Sequence, residues 1–99
     1  MLDKNFFIDI HPGELLSGML DDEHISQADL ARAIGCSLKV ISEICTRKRG
    51  ISADMAFKLG KVFGQSPQFW MNAQSNWLLS QVDRRTTAKV KKLVGKHAA

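Results

Sequence analysis

The chain has 99 residues, 44% of them hydrophobic and 24% charged, with 14 Lys plus Arg against 10 Asp plus Glu and a formal net charge of +4. This size and apolar fraction predict one small domain, excluding two or more, and they exclude a disordered or collagen-like chain. Seven Gly and two Pro fit a helical protein.

No window approaches the roughly 18 consecutive apolar residues of a membrane span, and Met1–Ile10 carries Asp3 and Asp9 where a secretion signal is basic. The expectation is a soluble, cytoplasmic protein with no membrane partner. Cys36 and Cys45 fit a reducing compartment and read as apolar packing. Were one helix to hold both, their spacing at about 1.5 Å per residue would exceed the roughly 7 Å limit of a disulfide. Charge is divided along the chain. Residues 1–31 hold Lys4 against seven acids, a net of −6; residues 32–61 hold seven bases against Glu43 and Asp54, a net of +5. Residues 62–83 hold only Asp83, and residues 84–99 hold six bases and no acid. Local fields of opposite sign select different partners.

Helix start and stop signals recur at short intervals with no sheet-like alternation between them, so the fold is all-α with five helices. The first begins near Pro12, with Glu14 in its first turn and Leu15, Leu16, Met19 and Leu20 on its apolar face; Asp21 to His24 is its exit loop. Ser26 caps a short second helix, with Asp29 three residues on and Gly35 as its stop. Ser37 caps a third directly after Cys36. At about 100° per residue, Val40, Ile41, Ile44 and Cys45 share one arc and Leu38, Lys39, Ser42, Glu43 and Thr46 the other, so one face is buried and one is free to touch something. Ser52 caps a fourth helix, with Met55, Ala56, Leu59, Val62 and Phe63 inward. Ser66 and Pro67 open a fifth, whose Phe69, Trp70, Met71, Ala73, Trp77, Leu78 and Leu79 exceed one stripe and call for dimerisation. Residues 1–83 form the domain; the basic 84–99 segment is a frayed helix or a mobile tail.

Each residue of the 26–46 segment has a mechanical reason. Ala31 is small enough to let two helices cross closely, Gly35 permits positive φ, Ser37 caps, and Ile41 pins the second helix on the first. Together these residues resemble the helix-turn-helix of lambda-repressor-like regulators of the XRE type, against the alternative of any small helical bundle that turns at a glycine. Beyond them, "HPGEL" at 11–15, "KRGISADMA" at 48–56 and "SPQFWMNAQ" at 66–74 resemble the HigA family of antitoxins, also described as VapI-like virulence-associated proteins. The resemblance covers about two thirds of the chain. It implies a homodimeric antitoxin that binds double-stranded operator DNA, neutralises a HigB-type ribosome-dependent messenger-RNA endonuclease and represses the operon encoding both. Thr46 and Arg47 stand where relatives often have Asn and Gly, and the basic run 84–97 matches no family motif.

On the physical reading, the third helix enters the major groove, where Lys39 donates to guanine and Glu43 accepts from cytosine. Ser42 is an adaptable donor or acceptor. Leu38 either meets a thymine methyl or is partly covered beside Cys45. Ser26 and Gln27, with the free N–H groups of the second helix, are placed to hold a phosphate. Arg47, Lys48 and Arg49 form a basic cluster beside the groove, or else a solvated loop; Arg32, Lys58 and Lys61 read as ordinary exposed charges. Phe69, Trp70, Ala73, Trp77 and Leu78 are the expected dimer contacts. Asp21, Asp22 and Glu23, within an acidic set that adds Asp3, Asp9 and Glu14, suit a basic toxin, with Phe6 and Phe7 as anchors. The competing reading has these acids solvate the first helix while both Phe pack into the core.

Catalysis is not expected. His11, His24 and His97 are scattered, and there is no CxxC pair, HExxH, glycine-rich phosphate loop or nucleophile elbow, so neither cofactor nor metal is implied. His11 before Pro12 reads as a helix-start residue, and Gly60 and Gly64 as close packing and a C-cap. The other function classes are a stand-alone repressor without a toxin and an adaptor that uses this fold for protein contacts.

Overall fold

In a computed structural model, described over residues 10–95, five helices follow one another: α1 Pro12–Glu23, α2 Gln27–Ile34, α3 Leu38–Cys45, α4 Ala53–Phe63 and α5 Pro67–Ser80. A single 3-10 turn, Arg84–Thr86, comes after them. No strand occurs among the described residues. Asp3, Phe6, Phe7, Asp9 and His97 lie outside the described residues.

Four of the five helices begin on a serine. The side chains of Ser26, Ser37, Ser52 and Ser66 each accept a hydrogen bond from the backbone N–H three residues on, at Asp29, Val40, Met55 and Phe69. Each satisfies a donor the helix cannot, for about 0.5–2 kcal/mol. The first helix uses His11 instead: its Nδ1 accepts from Gly13 N–H at 2.9 Å.

The apolar faces meet in one core of Leu16, Leu20, Leu30, Ala31, Ile41, Ile44, Ile51, Met55, Ala56, Leu59 and Trp70. Burying a side chain of Leu, Ile or Met size contributes about 1.5–3 kcal/mol. Helix α3 packs on α1 and α2, α4 on α2 and α5, and α1 on α5. Cys36 and Cys45 are free thiols, half-buried against this core. Gly60 sits where an added Cβ would lie 2.5 Å from the Gln65 carbonyl oxygen, which keeps α4 close to the turn before α5.

Three expectations are corrected. Asp21 to Glu23 are helical, not an exit loop: no Gly or Pro interrupts them, and α1 ends only at His24, whose φ of 56° turns the chain away. Val62, at the margin of the α4 stripe, is 37% exposed and outside the core. Trp70 cannot serve as a dimer contact, because it is fully buried in the protomer's own core. Its ring is edge-on to Phe69 and tilted against Phe63, with centroids 5.3 and 6.2 Å away. No helix among the described residues is long and apolar enough to cross a membrane.

Candidate nucleic-acid interface

The turn between α2 and α3 is built by Gly35, at φ 85°, where an L side chain would be strained. The N–H groups of Gly35 and Cys36 both reach the Ala31 carbonyl, at 2.8 and 3.0 Å, and Ser37 immediately opens α3. Buried Ala31 leaves the two helices room to cross. Ile41 and Ile44 are fully buried, so the opposite side of α3 is fixed outward.

That outward side carries Leu38, 50% exposed, and Lys39, whose side chain is 81% exposed, with half-buried Ser42 and Glu43 beyond them. The half-covered reading of Leu38 and the groove-facing one both fit this exposure. Glu43 is less available than its sequence position suggests. Its Oε1 accepts from Arg49 Nη2 at 2.6 Å and Nε at 3.0 Å, and its Oε2 lies 4.0 Å from Lys39 Nζ. The Arg49 hydrogen bonds hold its carboxyl below the usual carboxylate range, with the charges of Arg49, Lys39 and Lys48 acting in the same direction. Glu43 therefore orients two cations as well as presenting an acceptor.

After α3 the chain folds back on itself. Lys48 and Arg49 N–H groups donate to the Glu43 carbonyl at 2.8 and 3.2 Å, Arg47 N–H to the Ile44 carbonyl at 3.1 Å, and Thr46 Oγ1 to the Ser42 carbonyl at 2.9 Å. The orphan carbonyls of the helix end are thereby occupied, and Arg47, Lys48 and Arg49 are exposed beside the outward face. Arg47 has φ 69°, a left-handed conformation uncommon for a residue with a Cβ, and its Nη1 lies 3.3 Å from Glu14 Oε2. On α2, Ser26 is committed as a cap to Asp29 N–H at 3.0 Å, and half-buried Gln27 follows it at the start of the helix. The ordinary-charge reading of Arg32 and Lys58 agrees with their pairs: Arg32 bonds Asp29, and Lys58 lies 2.8 Å from Asp54.

The structure thus brings Leu38, Lys39, Ser42, Glu43, Arg47, Lys48 and Arg49 together on α3 and the turn after it. The first turn of α2, with Ser26 and Gln27, is joined to them by Gly35 and Ser37. Such a surface can place a helix in a DNA groove and set cations against the flanking phosphates.

Two supports were not foreseen. Gln74 of α5 accepts from Ile51 N–H through Oε1 at 2.6 Å, holding the far end of the turn. His11 is only 2% exposed and meets the Trp77 ring edge-on, with centroids 4.7 Å apart. Burial pushes its imidazole below the ordinary value of 6.5, and Arg47 adds to that, while Glu14 acts in the opposite direction. Beside this cap, Gly13 lies so near the end of α3 that an added Cβ would sit 1.8 Å from the Ile44 carbonyl oxygen. Tertiary polar contacts of this kind leave no periodic trace in a sequence.

Two other expected surfaces lie off α3. Asp21, Asp22 and Glu23 are exposed on the last turn of α1. On α5, Phe69, Leu78 and Leu79 are 41%, 53% and 45% exposed, whereas Ala73 and Trp77 are half-buried. A groove of about 270 Å³ runs between Ile10 and Leu15 on one side and Phe69, Asn72, Ala73 and Asn76 on the other.

The helix-turn-helix family profile matches residues 19–70. The chain is 43% identical over 84 residues to virulence-associated protein A' of Dichelobacter nodosus, covering 84% of this chain and 73% of that one. Among solved structures, the Pseudomonas aeruginosa antitoxin HigA with the higBA promoter superimposes with a TM-score of 0.80 at 40% identity, over 87% of this chain and 98% of that one. An addiction module antidote protein of the HigA family from Coxiella burnetii superimposes with a TM-score of 0.75 at 32% identity, over 87% and 95%. The match thus extends from α1 across both helices of the 26–46 motif to α5, and the chain belongs to the helix-turn-helix family, in the group that contains the HigA antitoxins.

Proposed function

We propose that this chain is a cytoplasmic, operator-binding antitoxin of the HigA type. It pairs as a homodimer, reads double-stranded operator DNA with α3, represses its own operon and neutralises a HigB-type messenger-RNA endonuclease. The observation that carries this reading is the outward face of α3, with Lys39 exposed beside the Arg47–Arg49 turn, in a chain 40% identical to an antitoxin solved with its promoter. In the groove Lys39 donates to guanine, while Gln27, Lys48 and the α2 N-terminus hold phosphates.

Two copies of α3 must then stand about 34–36 Å apart, one helical turn of DNA. The exposed Phe69, Leu78 and Leu79, with Ala73 and the flank of Trp77, supply the apolar surface for that pairing. A basic nuclease is suited to the exposed Asp21, Asp22 and Glu23, which lie off the reading helix.

The test is binding to the DNA upstream of the chain's own gene. Lys39→Ala is expected to relax base preference at particular positions, and Gln27→Ala and Lys48→Ala to weaken binding almost equally across sequences. If all three scale specific and random DNA alike, α3 is not the reader. Sedimentation of the purified chain tests pairing, and a monomer at tens of micromolar refutes it. Exchange of Asp21, Asp22 and Glu23 for Asn and Gln should slow association with the co-encoded toxin and flatten its salt dependence while operator binding persists. Operator binding with no toxin encoded nearby would make the chain a stand-alone repressor.

A further inference from the structure

Helix α5 carries two side chains one turn apart, Gln74 and Trp77, of which Gln74 bonds the turn that bears the cations directly and Trp77 reaches its near end only through His11 and Gly13 of the α1 start. Gln74 Oε1 accepts from Ile51 N–H at 2.6 Å, directly beyond the Arg47–Gly50 stretch. Gly50 gives this amide its place: a Cβ there would lie 2.5 Å from Gln74 Oε1 and 2.9 Å from both Cδ and Nε2. At the near end, Trp77 meets His11 edge-on, His11 caps Gly13, and Gly13 abuts the Ile44 carbonyl that receives Arg47 N–H at 3.1 Å. Gln74 therefore ties the far end of the Arg47–Arg49 turn directly to α5, while Trp77 backs its near end only by way of the α1 cap.

Of these two α5 side chains only Gln74 makes a direct polar bond to the turn, and it fixes a backbone donor far away in sequence. We infer that Gln74 is a positioning residue for DNA binding: it touches no DNA itself, but sets the turn so that Lys48 and Arg49 meet the phosphate backbone while α3 lies in the groove. The inference rests on the proposed DNA-reading role of α3. Without the bond, Ile51 N–H loses its partner and the turn keeps its α3-end hydrogen bonds, the Arg47–Glu14 ion pair and the buried Ile51 side chain but no polar tie to α5, so Lys48 and Arg49 spread over more directions and meet phosphate less often. Base preference, which belongs to α3, stays as it was.

The test compares the intact protein with Gln74→Met, which keeps the length and volume of the side chain but removes its oxygen. Operator affinity should fall roughly tenfold and the slope of log affinity against log salt should shrink by about 1, with base preference unchanged. Amide exchange at Ile51 should quicken selectively. In a Lys48→Ala/Arg49→Ala background, Gln74→Met should have less than about a twofold further effect, because what it positions is gone. Gly50→Ala displaces the same amide from the other side and should reproduce the single-variant result, which keeps the test open if Gln74→Met folds poorly. Unchanged affinity in both variants, additive losses in the triple variant, or altered base preference would each overturn the inference. Failure of the unsubstituted protein to bind its own upstream DNA would overturn the DNA-reading role as well, a separate and visible outcome.

Discussion

Gly13→Ala is the most direct probe of how α1 holds α3. The new Cβ would start 1.8 Å from the Ile44 carbonyl oxygen and 2.8 Å from its carbon, so relief to the shortest real contact, 3.0 Å, needs a shift of about 1.2 Å. Neither partner has a rotamer to change: one is a Cβ fixed by its own backbone, the other a main-chain carbonyl near the end of α3. Overpacking of this kind costs about 1–3 kcal/mol, here toward the upper end, and the helix preference of Ala over Gly returns somewhat under 1 kcal/mol. A net loss of about 2 kcal/mol lowers the melting temperature of a domain this size by about 8–16 °C. Gly18 on the same helix is the internal control: it has nothing within 4 Å of a built Cβ, so Gly18→Ala should stabilise by about 0.5–1 kcal/mol. Thermal unfolding followed by circular dichroism reads both. A Gly13→Ala protein that melts within 2 °C of the unsubstituted chain would refute the claim that α1 is wedged against the end of α3.

Other substitutions probe the charges. The folded pKa of His11 lies below its ordinary 6.5, so the folded chain binds fewer protons than the unfolded one; its stability contribution is present above about 6.5 and is lost as pH falls toward the folded value. His11→Asn keeps a capping acceptor without titrating, so its stability measured by urea unfolding should lose less between pH 7 and pH 5 than that of the unsubstituted chain; parallel curves would contradict the cap assignment. Arg47→Gly relieves a left-handed residue and removes an ion pair that is about half exposed on both sides and worth about 0–1 kcal/mol, so the melting temperature should hold or rise by a few degrees. The same variant should lower the salt slope of operator binding by about 0.9, and an unchanged slope would remove Arg47 from the phosphate contacts. Deleting residues 84–99 should lower that slope by about 0.9 per lost phosphate contact; no change would leave the basic segment a solvated appendage.

Much of this fold was legible because its signals are local. Ser26, Ser37, Ser52 and Ser66 announce helices within three residues of themselves, and Gly35 and Gly64 end two of the four. The two faces of α3 also separate by periodicity alone, since Ile41 and Ile44 are buried while Leu38 and Lys39 are out. In α5 the same reasoning ran out. An apolar surplus says that a second surface exists but not which residues form it, and Trp70 went to the protomer's own core while Phe69 next to it stayed 41% exposed. Glu43 was readable as a polar residue on the free face, but its commitment to Arg49 depends on how the turn folds back. The reach of Gln74 to Ile51 depends on how α5 crosses the turn, and that crossing has no sequence period.

The contact between His11 and Trp77 has an optical consequence. An excited indole gives up an electron far more readily to an imidazolium than to a neutral imidazole, and these two rings sit edge-on with centroids 4.7 Å apart. The other indole, Trp70, is fully buried between Phe63 and Phe69 and has no such neighbour, so its emission serves as a built-in reference. Intrinsic fluorescence therefore carries a two-colour record of the chain: a blue, constant component from the centre of the domain, and a component quenched by acid that reports whether the N-terminal cap of α1 still rests on α5. That signal needs no label, and in acidic solution, where His11 carries its proton, recovery of the quenched component marks separation of the two rings.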